Sequence, residues 1–267
     1  MLPPISFVGG GNMATAMIAG LSRLVLRPEL AVAEPDPAKR ATFTAQGVVA
    51  TAENTQAVAA GKIIVLAVKP QSAATALPEI AAAWDSSKLL VSILAGTPTA
   101  KLEAALPSGA RVVRAMPNTP LAIGQGMVGI CPGKHAGSHE LGLAEALFAP
   151  CGKVLRVADE SRMDAITAVS GSGPAYFFRF AEALVDAAMA LGFTRDEAIL
   201  LIGQTGAGSW DYLQRSGFDA ARLRQQVTSP GGTTAAALNV IDASAFTDLW
   251  VRALAAAEAR GRELAKG

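Results

Sequence analysis

The stretch Val227-Thr228-Ser229-Pro230-Gly231-Gly232-Thr233-Thr234 interrupts a half of the chain otherwise rich in Ala and Leu. Its residue types suit an anion and a hydrogen-bond acceptor. Pro230 and Gly231-Gly232 end one helical pattern, and Thr233-Thr234 begin the next. N–H groups at a helix start lack intrahelical partners and attract a carboxylate. Thr234 adds a hydroxyl able to point at a nearby nitrogen. Alternatively, Ser229 and Thr233 are no more than helix caps.

A second competent stretch lies at the other end of the chain. Gly9-Gly10-Gly11-Asn12-Met13-Ala14 follows an apolar run and opens a helical pattern, fitting G-x-G-x-x-A. Gly9 allows the tight turn, Gly11 lets backbone approach a pyrophosphate, and Ala14 lets helix and strand pack closely. The next apolar run ends in Glu34-Pro35-Asp36. An acid there either accepts from a ribose 2′-hydroxyl and repels a 2′-phosphate, or is a turn residue and helix cap. Lys39 and Arg40 lie one turn further on. Lys69-Pro70 and Met116-Pro117-Asn118-Thr119-Pro120 both close strand patterns, where ligands of an open α/β sheet gather.

Positioning these groups takes alternating strands and helices. Strands are predicted over 5–9, 30–34, 62–68, 88–94, 110–116, 127–133 and 153–157, with helices over 12–25, 70–84 and 137–149. That alternation gives βαβ units and a parallel sheet. After about residue 160 strand signals cease, and helical patterns cover 161–169, 174–191, 194–215, 219–226, 233–241 and 244–265. The fold class is α/β: a Rossmann-type dinucleotide-binding domain over 1–158, then an all-α domain over 159–267.

Composition narrows the class. Half the residues are hydrophobic and the net charge is +1 with signs interspersed, which excludes the basic stripe of a nucleic-acid binder. The two cysteines, Cys131 and Cys151, do not suggest a disulfide framework and fit a reducing compartment. The first residues, MLPPISFVGG, lack a basic n-region and a long apolar h-region, so no signal peptide is expected. The longest apolar stretch, 174–193, is broken by Arg179, Glu182 and Asp186, so no membrane span is expected. A cytoplasmic protein is expected. His135 and His139 are spaced i, i+4, but no third metal ligand is evident, and a solvated face is the alternative.

The missing groups bear on the reaction. Alcohol oxidation by a nicotinamide enzyme usually takes a His or Lys base. Here no lysine lies between Val154 and Ala265, and Ser170-Gly171-Ser172-Gly173-Pro174-Ala175-Tyr176 runs into Phe177 and Phe178. Hydride addition to a C=N bond fits better, because a protonated imine is already electrophilic.

Taken together and in order, FVGGGNMA, AVKPQ, MPNTP, SGSGPAY and VTSPGGTT resemble pyrroline-5-carboxylate reductase along essentially the whole chain. The resemblance implies NADPH- or NADH-dependent reduction of 1-pyrroline-5-carboxylate to L-proline, the last step of proline biosynthesis. It implies a homodimer interleaved through the helical domain, often assembled to a decamer; from the residues themselves no metal site is expected. Gly9, Gly10, Gly11, Asn12 and Met13 match the pyrophosphate loop. Ala67, Val68, Lys69 and Pro70 match the loop beside the adenosine and nicotinamide, and Asn54 lies near the adenine ribose. Met116, Pro117, Asn118 and Thr119 would border nicotinamide and substrate. Ser229, Gly231, Gly232, Thr233 and Thr234 match the loop that binds the substrate carboxylate, with Thr234 toward the imine nitrogen. NADPH-preferring members often carry Asn-Arg or Ser-rich residues where Glu34-Pro35 stands here, a departure that leans toward NADH. Two other readings are a hydroxyacid-type dehydrogenase of the same layout, against which the absent lysine speaks, and a non-catalytic dinucleotide-binding protein, which would have no reason for VTSPGGTT.

Overall fold

Strands buried on both faces read as near-continuous apolar runs. Leu30–Ala33 and Ile63–Leu66 are apolar throughout, Ile5–Val8 and Leu89–Ser92 each carry one serine, and all their residues are buried. A computed structural model describes residues 2–266. It contains β1 (Ile5–Val8), α1 (Asn12–Ser22), β2 (Leu30–Ala33), α2 (Pro37–Ala45), β3 (Val49–Thr51), α3 (Asn54–Ala60), β4 (Ile63–Leu66), α4 (Ala73–Ala82), β5 (Leu89–Ser92), α5 (Thr99–Ala104), β6 (Arg111–Met116), β7 (Gly126–Pro132), α6 (Ser138–Phe148) and β8 (Gly152–Arg156). Helices follow: α7 (Met163–Ile166), α8 (Gly173–Ala190), α9 (Arg195–Ser216), α10 (Ala220–Gln226), α11 (Thr233–Ala243) and α12 (Phe246–Lys266).

The strands form one sheet in the order β3-β2-β1-β4-β5-β6-β7-β8. All neighbours are parallel except β6 and β7. The first six strands in space follow the doubly wound dinucleotide-binding order, whose direction reverses between β1 and β4. Successive side chains alternate between two cores. Ile5, Phe7, Ile63, Val65, Leu89 and Val91 pack with Met17, Leu21, Phe43 and Phe148. Val8, Ile64, Leu66 and Leu90 pack with Val58, Ile80 and Leu102.

The predicted strands are present, and β3 is an addition. It is a three-residue edge strand with an exposed Val49, too short and too polar to stand out by pattern. The 161–169 helical pattern resolves into α7 followed by a π-helical turn at Thr167–Gly171.

The chain divides into two compact units: Met1–Pro174 with Ala256–Gly267, and Ala175–Ala255. The change of pattern near 159 and the change of unit at Pro174 are separate places. Between them, the chain packs on the sheet. Met163 is buried with Cys131 and Val157. Buried Arg114 of β6 donates to Glu160 at 3.1 Å and Asp164 at 3.2 Å, and Glu160 also accepts from the Thr99 N–H and hydroxyl. A buried guanidinium without such partners is costly, so these contacts hold 160–164 against β6.

The second unit has little core. Among the described residues its buried hydrophobics are Val185, Ala188 and Ala198. Phe177, Phe178, Leu200, Trp210, Val240 and Val251 are each more than half exposed. Ala245, between α11 and α12, is left-handed with φ 50°. An L side chain is strained there, and glycine relieves it at some cost in backbone entropy. Ala245→Gly is therefore expected to stabilise the protein by about 0.5–1 kcal/mol. It would read as a higher urea midpoint with unchanged m-value.

Candidate active site

The loop after β1 is fixed by a close approach. Gly9 has φ +100°, and a Cβ there would lie 2.7 Å from the Ala67 carbonyl oxygen and 3.0 Å from the Val68 nitrogen. The loops after β1 and β4 thus touch backbone to backbone at the point where strand order reverses. A Cβ at Gly10 would meet Phe43 at 2.7 Å and Glu34 Oε2 at 2.9 Å. At Gly11 the same atom would meet nothing within 4 Å. One glycine serves the turn, one serves packing, and the third faces open space.

The start of α1 is bare. Gly11 is its N-cap, no side chain caps it, and no acid occupies the first turn. Its leading N–H groups are therefore free for an anion, which suits a pyrophosphate. The open face at Gly11 and this uncapped N-terminus fit a dinucleotide. Ala14 is fully buried, as close helix–sheet packing requires.

The side chains nominated around this loop divide into engaged and free. Glu34 Oε2 accepts from the Gly10 N–H and Oε1 from the Asp36 N–H, each at 3.0 Å. Asp36 caps α2 by accepting from the Ala38 and Lys39 N–H groups. Asn54 donates to Glu79 at 2.7 Å. Lys69 and Pro70 are exposed beyond β4, and Pro70 opens a short 3₁₀ turn. Asn118 donates to the Ser170 carbonyl at 3.2 Å and accepts from the Met127 N–H at 2.8 Å. It therefore ties the loop after β6 to the π-helical turn and to β7. The Met116 side chain packs against Gly171 so closely that a Cβ there would collide with it. Thr119 is exposed. Ser170 is part of the SGSGPAY motif named from sequence, but sequence reasoning gave it no role and did not anticipate the π-turn, a feature that often marks functional sites.

The second stretch has the same bare geometry, described within its own unit. Gly232 is the N-cap of α11, with no side-chain cap and no acid in the first turn. Neither Ser229 nor Thr233 caps the helix. The Gly232 N–H donates to the Ser229 carbonyl at 3.0 Å, and Gly231 is left-handed at φ +70°. A Cβ at Gly232 would collide with the Ser229 hydroxyl. The turn thus requires glycine and leaves the N–H groups of α11 available. Thr234 is half-buried in its first turn.

Other chemistries lack the groups they need. Both cysteines are fully buried. Burial pushes the Cys131 thiol up to about 12, with the nearby Glu160 carboxylate adding to the rise and Arg114 opposing it. Burial raises Cys151 to about 11. Neither forms the thiolate that a nucleophile requires. Among the described residues, no group of three or more His, Cys, Asp or Glu is placed to hold a metal. No described helix is long and apolar enough to cross a membrane.

Comparison with known proteins meets this geometry at both ends. Residues 160–264 match the family model for pyrroline-5-carboxylate reductase dimerisation. Residues 4–96 match that for NADP oxidoreductase, coenzyme F420-dependent. The pyrroline-5-carboxylate reductase of Pseudomonas aeruginosa is 40% identical over 266 residues, covering 99% of this chain and 97% of that one. The chain belongs to the pyrroline-5-carboxylate reductase family. A solved pyrroline-5-carboxylate reductase from Coxiella burnetii superposes with a TM-score of 0.93 at 36% identity, covering 98% of each chain. The Plasmodium falciparum pyrroline carboxylate reductase, solved with NADP bound, gives 0.87 at 31% identity, again with 98% of each chain covered.

The glycines make a contrasting pair. Gly9→Ala is expected to destabilise the fold, because its Cβ meets backbone and its φ is forbidden. Gly11→Val is expected to keep the melting temperature within about 2 °C. It should weaken nicotinamide dinucleotide binding at least tenfold, as judged by fluorescence titration. Neither thiol should react with an aromatic disulfide reagent at pH 8 until denaturant is added; a fast-reacting thiol in the native protein would contradict the burial.

Proposed function

We infer that this chain reduces 1-pyrroline-5-carboxylate to L-proline, the last step of proline biosynthesis, using NADPH or NADH. The observation that carries the chemistry is the uncapped start of α11 at Gly231-Gly232-Thr233-Thr234. A bound reduced nicotinamide would supply a hydride to C5 of the protonated imine, and the C=N π electron pair would remain on the ring nitrogen as the lone pair of the product amine. The chain's own part is to bind and orient. Ser229, Gly231, Gly232 and Thr233 hold the substrate carboxylate on the helix N–H groups. The Thr234 hydroxyl hydrogen-bonds the ring nitrogen and fixes which atom faces the hydride. A protonated imine needs no strong acid from the protein, in keeping with a chain that has no lysine from 155 to 264.

Gly9, Gly10, Gly11, Asn12 and Met13 hold the pyrophosphate, and Ala67, Val68, Lys69 and Pro70 border the adenosine and nicotinamide. Met116 and Asn118 shape the substrate side. For Asn118 the hydrogen bonds to Ser170 and Met127 support positioning of its loop. Glu34 and Asn54 lie at the adenosine end.

The helical unit is the dimer interface in this reading. Three buried hydrophobic residues do not stabilise four long or medium helices, whereas a second copy would cover the exposed Phe, Trp, Leu and Val side chains. The resemblance extends this to a decamer of five dimers, and the composition favours a cytoplasmic location. Light scattering at micromolar concentration tests the assembly, with a monomer as the outcome that overturns it.

Steady-state reduction of 1-pyrroline-5-carboxylate, run with NADPH and with NADH, tests the activity. Absence of turnover from folded, cofactor-binding protein would sink it and favour a non-catalytic dinucleotide-binding protein. Thr234→Ala is expected to lower kcat about 10- to 100-fold, the cost of one lost transition-state hydrogen bond, with dinucleotide affinity retained. Unchanged turnover removes Thr234 from the mechanism.

A further inference from the structure

Glu34 follows β2 at the place where a dinucleotide-binding sheet puts an acid that accepts from a ribose 2′-hydroxyl. In this chain both carboxylate oxygens already have donors. The Gly10 N–H donates to Oε2 and the Asp36 N–H to Oε1, each at 3.0 Å. The residue is 6% exposed. Phe43 and Glu34 together close the space beside Gly10, where a Cβ would meet them at 2.7 and 2.9 Å. A charge-assisted bond from a loop N–H to a buried carboxylate is strong and directional. The Glu34 carboxylate therefore braces the phosphate loop from behind.

The cations at the same tip are differently placed. Arg40 reaches back from α2, and its Nη1 donates to the carbonyls of Glu34 and Pro35, each at 2.8 Å. That anchors the guanidinium through one nitrogen. Its Nη2 and Nε have no partner among the described residues, and no ion pair joins Arg40 or Lys39 to an acid. The Asp36 carboxylate faces the N–H groups of α2. The strand tip thus presents a tethered guanidinium, with both nearby acids turned toward backbone.

We propose that Glu34 is a positioning residue for the phosphate loop, and that Arg40 is the specificity-determining residue that reads the ribose 2′ position in favour of a 2′-phosphate. The proposal rests on the dinucleotide reading of the β1–α1 loop. It inverts the preference that an acid in this place implies by sequence. A planar guanidinium held at one nitrogen keeps its other donors in a fixed fork, which matches phosphate oxygens.

Equilibrium binding of adenosine 2′,5′-bisphosphate and of 5′-AMP, measured by calorimetry, separates the roles without turnover. The wild type should prefer the bisphosphate by about tenfold or more. Arg40→Met should erase most of that preference while leaving 5′-AMP within about twofold, and Arg40→Lys should restore part of it. Glu34→Gln should weaken both nucleotides by a common factor and leave their ratio unchanged. The same variants should shift the binding of NADPH relative to NADH in parallel. Three results overturn the proposal: Glu34→Gln weakening 5′-AMP alone, Glu34→Gln tightening the bisphosphate, or Arg40→Met weakening both ligands equally. The first two would make Glu34 a ribose reader, and the third would make Arg40 a brace for the turn. A wild type that binds neither nucleotide nor NADPH overturns the dinucleotide reading itself, a distinct result.

Discussion

Everything at the cofactor end depends on a contact between two backbones. The loop leaving β1 and the loop leaving β4 meet at Gly9 and Ala67–Val68, closer than any side chain permits. Strand order reverses between these two strands, so their following loops diverge to opposite faces and open a crevice. A larger residue at Gly9 would push the loops apart and carry the start of α1 away with them. The alternating burial of β1, β4 and β5 between two cores holds those loop ends in register. Sheet packing is thereby converted into the placement of a few N–H groups.

Helix starts in this chain differ in how their N–H groups are satisfied. Asp36, Thr194 and Asp219 cap α2, α9 and α10 with their own side chains. At α1 and α11 the N-cap is glycine, with neither side-chain cap nor acid. A capped start is satisfied within the fold, and an uncapped one keeps its field for a ligand. The starts of α3 and α4 also lack both a side-chain cap and a first-turn acid; in the proposed function, the two bare starts with glycine at the N-cap take the two anions of the reaction, a pyrophosphate and a carboxylate. The same economy appears in Asn118, whose amide is consumed in joining the loop after β6 to the π-turn, so it shapes a surface.

Much of this was legible in sequence because the deciding signals are local. G-x-G-x-x-A, the apolar runs of four and the Gly-Gly-Thr-Thr turn each report a backbone requirement that few residue types satisfy. Side-chain partners were not legible. Nothing near Glu34 in sequence announces that Gly10, twenty-four residues earlier, will take its carboxylate. Asn54 and Glu79 meet across twenty-five residues, and Asn118 and Ser170 across fifty-two. Such pairs are set by sheet order and helix packing, which pattern alone does not fix. β3 escaped notice for the opposite reason: an edge strand of three residues is defined by its neighbour β2 and hardly by itself. Arg114 likewise reads as an anomaly inside an apolar strand until Glu160 and Asp164 are placed beside it.

The thin core of Ala175–Ala255 makes order in that unit a matter of mass action. Helices whose apolar faces are covered by another copy gain stability with the logarithm of protomer concentration. The turn before α11 belongs to this unit, so its shape would inherit that dependence. Diluted, such a chain would lose the turn before α11, proposed to bind the substrate carboxylate, before it loses the sheet, whose two cores are complete within one chain. Specific activity would then climb with abundance, a dose response written into the burial pattern with no effector involved.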